Sequence, residues 1–112
     1  MGQVPVKQGD LLLVPFPFSD QSGRKVRPVI VVSNNSFNKT QDVIVVGVTS
    51  NLDGGDIIIN PVDVEQGNLY DECCVKVSNI LKLDKRLVIK RIGRIKAGLL
   101  REIITRIHKI LC

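Results

Sequence analysis

Short apolar runs rich in valine and isoleucine, each cut off by glycine, proline, asparagine or serine, recur along this 112-residue chain. Runs of four to eleven such residues between turn formers predict strands, because β-branched side chains pack well on a pleated surface and fit less easily into helices. The runs fall near 10–16, 28–33, 43–49, 56–60, 73–83 and 89–95. Between them, 19–23, 34–41, 51–55 and 61–68 carry the turn residues. Asp53-Gly54-Gly55 predicts a tight turn, since glycine adopts positive φ without a Cβ clash, and Asp84-Lys85-Arg86 predicts another reversal.

The last segment changes period. Leu99, Leu100, Ile103, Ile104, Ile107, Ile110 and Leu111 recur at three- and four-residue spacing with Arg101, Glu102, Arg106 and Lys109 between them, the pattern of an amphipathic helix. Gly98 is an acceptable N-cap, and Arg106, His108 and Lys109 suit the negative end of the helix dipole. Strands followed by one helix predict a mainly β fold, a small barrel whose open side the helix covers. The length suits one domain, 1–112, with a core that needs no staples.

Cysteine usage agrees. Cys73 and Cys74 are adjacent, so in a strand they point to opposite faces, and Cys112 leaves the count odd. They are read as reduced thiols of a cytoplasmic protein, one of the pair serving as a small core residue. No apolar run reaches the roughly 18 residues of a spanning helix, and 11–18 is broken by Pro15 and Pro17. No membrane association and no secretory signal are expected.

A net charge of +5 conceals an asymmetry: residues 1–72 sum to −4 and residues 73–112 to +9. The densest part, 82–96, sets Lys82, Lys85, Arg86, Lys90, Arg91, Arg94 and Lys96 against Asp84 alone. Such a face is either simply solvated or a surface for nucleic acid or an acidic peptide, with salt-sensitive affinity for phosphates.

The residue types exclude several chemistries. The acidic residues are scattered over different turns with no histidine among them, so no metal site is expected. His108, the sole histidine, lies on the terminal helix and has no second histidine for an acid–base pair. What remains is Arg27 and the hydroxyl cluster Thr49-Ser50. Cleavage of a phosphodiester by its own 2′-hydroxyl needs the phosphate held in line and its developing charge neutralised, and a guanidinium with a hydroxyl donor supplies both. By spacing alone, Arg27 is equally a solvated residue and Thr49-Ser50-Asn51 a strand-ending turn.

The chain resembles the MazF/PemK family of toxin endoribonucleases. The likeness rests on Gly9-Asp10 with the first apolar strand, Arg27-Pro28 with 29–33, Val48-Thr49-Ser50, Leu83-Asp84-Lys85 followed by Ile92-Gly93, and the final helix. It implies an SH3-like barrel, a homodimer, and a toxin that cuts single-stranded RNA, such as mRNA, without a metal or other cofactor. It further implies catalytic roles for Arg27 and Thr49 and an acidic antitoxin occupying the same basic groove. RNA contacts are expected from Phe18, Ser19, Gln21, Arg24 and Lys25 of the first loop, from Ser50 and Asn79, and from Lys82, Lys85 and Arg86 of the later turn, if a dimer brings these elements together. The chain departs from the family in two places: 18–25 lacks the Gly-Ser-Glu-Gln loop of many members, and Leu81 follows Ser78-Asn79-Ile80 where many carry arginine. The family's cleavage specificity is therefore not carried over. Two alternatives use the same fold class. A gyrase poison of the CcdB kind would put the decisive residues at the chain's end, where Ile110-Leu111-Cys112 lacks that family's Trp-Gly-Ile. A non-catalytic barrel binding nucleic acid or peptide would use the basic face and release no cleavage products.

Overall fold

A computed structural model describes residues 5–15, 26–67 and 72–112. Seven strands form one sheet: β1 (Asp10–Pro15), β2 (Val26–Val31), β3 (Asp42–Thr49), β4 (Ile57–Ile59), β5 (Val64–Gly67), β6 (Cys73–Asp84) and β7 (Lys90–Ile95), followed by helix α1 (Ala97–Leu111). The spatial order is β4-β6-β3-β2-β1-β7-β5, and every pairing is antiparallel. The first strand is thus central, between β2 and β7.

Alternation along the strands sends side chains to two cores. Leu11, Ile30, Val46, Val48, Ile57, Ile59, Val75, Val77 and Ile95 pack under α1 through its Leu99 and Ile103. On the other face Val6, Leu12, Val14, Val29, Val31, Val43 and Val45 form a second cluster, with Leu81, Leu83 and Val88 against it. Leu81, where many family members carry arginine, pairs with Val45 and is half-buried in this core.

The expected strands and helix are present, and four details differ. Strand β5 lies inside 61–68, expected to be loop: its Val64-Glu65-Gln66-Gly67 is short, polar and mostly exposed at the sheet edge, so it carries no apolar run to read. β2 starts at Val26, two residues early, which draws Val26 and Arg27 into the strand. The N-cap of α1 is Lys96, not Gly98: the Lys96 N–H donates to Asp63 O at 2.8 Å, and the helix opens at once with Leu100 N–H to Lys96 O. Gly55 has φ −123°, so positive φ is not what glycine supplies there. A Cβ at Gly55 would lie 2.2 Å from Cys74 Cβ, and close approach to β6 is the constraint. Cys74 is the buried thiol of the adjacent pair, and none of the three cysteines is in a disulfide.

Candidate active site

Pro28 has no N–H to extend a ladder, and the β2–β3 pairing stops beside it, at Val29 opposite Gly47. The same register continued would set Arg27 opposite Thr49. The strands part there instead, and the two side chains flank an opening on the face of the second core. Arg27, Pro28, Gly47, Val48, Thr49, Lys76 and Asn79 line this pocket of about 160 Å³. That is below the roughly 300–1,000 Å³ of small-molecule sites, a size for a phosphate and part of its sugar.

The far wall comes from an irregularity in β6. β3 pairs Val46 with Ile80 but Gly47 with Lys76, so Val77, Ser78 and Asn79 are extra residues on β6. Such an insertion re-aims side chains. Lys76 sits directly across from Gly47, and the Asn79 side chain lies over Gly47, where an added Cβ would meet Asn79 Nδ2 at 2.6 Å. Only a residue without a side chain leaves the floor open.

Thr49 Oγ1 accepts from the Asn51 N–H at 3.1 Å, and Asn51 Oδ1 in turn accepts from the Asp53 N–H at 3.1 Å. A hydroxyl that accepts from backbone keeps its own proton to donate, so the turn orients Thr49 without consuming its donor. Arg27 and Thr49 are half-buried, Lys76 is exposed, and among the described residues no acidic side chain lines the pocket. Two positive charges therefore face one small cavity, and an anion is the ligand their field favours.

The structure brings together Arg27, Thr49 and Asn79 from the residues read in the sequence. Ser50 is exposed and adjacent to Thr49 but does not line the pocket. Phe18, Ser19, Gln21, Arg24 and Lys25 lie outside the described residues. Lys82, Lys85 and Arg86 are at the other end of the β3–β6 ladder, where Asp42 pairs with Asp84. There Lys82 Nζ lies 3.9 Å from Asp42, Lys85 Nζ donates to Asn38 O at 2.7 Å, and Arg86 Nη2 donates to Asp84 at 2.8 Å. The Arg86 hydrogen bonds hold the Asp84 carboxyl well below the usual carboxylate range, and Asp84 raises Arg86 in return. Sequence reasoning missed Lys76. It sits among the apolar residues of β6, and only the slip of register against Gly47 reveals which face it serves. No three histidine, cysteine, aspartate or glutamate side chains converge among the described residues.

Solved structures share this architecture. An endoribonuclease in complex with its cognate antitoxin from a mycobacterial species superposes with a TM-score of 0.72 at 23% identity, covering 96% of this chain and 93% of that one. MazE–MazF from Deinococcus radiodurans gives 0.68 at 19% identity, over 96% and 97%. The Mycobacterium tuberculosis toxin MazF-mt6 gives 0.67 at 16%, over 88% and 90%. These likenesses establish the mostly β half-barrel with its C-terminal helix as the MazF-like fold. No curated protein matches the sequence. The family described as PemK-like, MazF-like toxin of type II toxin–antitoxin system matches residues 7–111. With the match running through nearly every residue that builds the sheet, the pocket and the helix, the chain belongs to the PemK/MazF-like toxins of type II toxin–antitoxin systems.

Proposed function

We propose that this toxin is an endoribonuclease that cuts single-stranded RNA in the cytoplasm, with the scissile phosphate in the pocket between Arg27 and Thr49. The observation that carries the reading is the parting of β2 and β3 at Pro28, which sets a guanidinium and an oriented hydroxyl on two sides of a cavity of phosphate size. In this reading Arg27 neutralises charge developing on the phosphoryl oxygens, and Thr49 donates to one of them. Lys76 adds a second cation and Asn79 a neutral donor at the rim. The adjacent 2′-hydroxyl is the nucleophile: its oxygen bonds phosphorus, the 5′-oxygen leaves with a proton, and a 2′,3′-cyclic phosphate remains. The chain works as a homodimer, and an acidic antitoxin covers the same cationic surface when it neutralises the toxin.

Incubating the purified protein with mixed-sequence RNA in the presence of a chelator tests this. Fragments ending in 2′,3′-cyclic phosphate, or the 3′-phosphate it hydrolyses to, are expected, with no cut where the scissile nucleotide is 2′-deoxy. Cleavage that disappears with the chelator, or that leaves 3′-hydroxyl ends, would overturn the mechanism.

A further inference from the structure

A second cationic cleft lies on the other side of β1, built by a bulge. Arg91 and Arg94 are three residues apart on β7, so in a regular strand they would face opposite sides of the sheet. The β1–β7 pairing shifts between Leu11 and Leu12, matching Asp10 with Arg94 and Leu12 with Arg91, and Ile92 becomes the extra residue. Both arginines then share the face of Asp10.

Asp10 is fully buried, and both its oxygens are committed. Oδ2 accepts from the Lys7 backbone N–H at 2.9 Å, and Oδ1 accepts from Arg94 Nε at 3.0 Å. Arg91 Nε also lies 3.1 Å from Oδ1 but is not aligned for a hydrogen bond and has no partner among the described residues. Arg91 Nη2 donates to Gln66 Oε1. One arginine would suffice to balance Asp10. Here two arginines and Lys7, with Gln66 and Pro5, line an open cleft of about 420 Å³ that no acidic side chain lines among the described residues, while the Asp10 carboxylate is spent beneath it. With each Nε turned inward to Asp10, the outer N–H groups of the guanidiniums serve the cleft, a geometry matched to tetrahedral oxyanions.

We infer that Lys7, Arg91 and Arg94 form a phosphate-binding site separate from the pocket at Arg27. Arg27 pairs with Val14 and Arg91 with Leu12, on the two strands flanking β1. Strand spacings put their Cα atoms about 12 Å apart, a few nucleotides of single-stranded backbone. A phosphate of bound RNA is thus the occupant that the placement favours, and a free phosphate presents the same chemistry. The site rests on the charge and geometry of the cleft, not on the cleavage reaction.

Two titrations test it, on the wild type, Lys7→Gln and Arg91→Gln. In the first, inorganic phosphate is added against chloride at matched ionic strength while the arginine Nε–H NMR signals are followed. Saturable shifts of Arg91 and Arg94 are expected in the wild type and weaker binding in Lys7→Gln, which leaves the Asp10 contacts intact because only the Lys7 backbone N–H reaches them. In the second, RNA blocked by 2′-deoxy substitution at the scissile position is titrated over a range of salt. Each substitution should lower the slope of log K against log salt by about 0.7, equally for unrelated sequences. Shifts with an unchanged slope would assign the site to free phosphate. No phosphate-dependent shift in the wild type, or shifts produced by an acidic peptide but not by phosphate, would overturn the proposal. A wild-type protein that fails to cut RNA yet shows the phosphate shifts would break the endoribonuclease reading and leave this one standing.

Discussion

The two ends of the β3–β6 ladder are both rich in cations and set them around different surroundings. At the Asp42–Asp84 end, Lys82, Lys85 and Arg86 each have a nearby oxygen, from Asp42, the Asn38 carbonyl and Asp84. At the Thr49–Cys74 end, Arg27 and Lys76 converge on a cavity that no acidic side chain lines among the described residues. The sequence makes the first end look more important, because 82–86 is the denser run. What marks the candidate site is the convergence of cations on a cavity, and that convergence is set by register, not by the count of basic residues.

The sharpest way to break the comparison is Arg27→Ala. RNA cleavage should fall about 10²–10³-fold with the fold intact by circular dichroism, the usual loss when a donor aimed at developing charge is removed. Unchanged cleavage would mean that the pocket is not where chemistry occurs. Lys76→Gln and Thr49→Ala should each cost about 10-fold, comparable to a charge-assisted or well-oriented hydrogen bond. Only Lys76→Gln should also flatten the salt dependence of RNA affinity. Gly47→Ala should lower cleavage several-fold without unfolding the protein, because the new Cβ pushes the Asn79 side chain toward the cavity. Asn79→Ala in the same chain should remove most of that extra penalty, a non-additivity that a double-mutant cycle measures directly.

The smallest effect belongs to the Asp42–Asp84 end. Arg86→Ala should change cleavage less than about 2-fold, as expected when an exposed ion pair is removed. A much larger loss would show that a partner subunit brings this turn to the pocket. The same variant should return the Asp84 carboxyl toward its ordinary value of 3.8, read by NMR titration. Because the folded-state pKa is depressed, the Asp84 contribution to stability is present above the unfolded value and lost as pH falls through the folded one. In the variant that acid-side loss should shrink, and near neutral pH the two proteins should differ little.

The fold was largely readable because its determinants are local. Val29 to Val31 and Val43 to Val48 announce strands through β-branching, and α1 through its period. β5 was hidden because Val64, Gln66 and Gly67 are held by pairing to β7, which no local pattern records. Of the candidate site, Arg27 and Thr49 were singled out through the Arg-Pro and Thr-Ser motifs of the resembling family, and both line the pocket. Lys76 and the Arg91–Arg94 pair were not, since Lys76 owes its orientation to three extra residues in the β3–β6 ladder and the arginines to one in the β1–β7 ladder. A strict two-residue alternation read along β6 or β7 fails where extra residues change the side on which later residues fall.

The central position of β1 has a consequence for how the toxin comes into being. One side of β1 pairs with β2, close in sequence, but the other waits for β7, and the bond from Arg94 to Asp10 spans 84 residues. A growing chain can pair β1, β2, β3, β4 and β6, yet β1 keeps an open edge, β5 has no strand to join and Asp10 lacks its arginines until β7 has emerged. Topologies dominated by such distant contacts fold slowly, because the ends must meet before anything rewards their meeting. The sheet is therefore completed only by β7, and a truncated product ending before β7 leaves a half-finished sheet, with an exposed strand edge prone to aggregation.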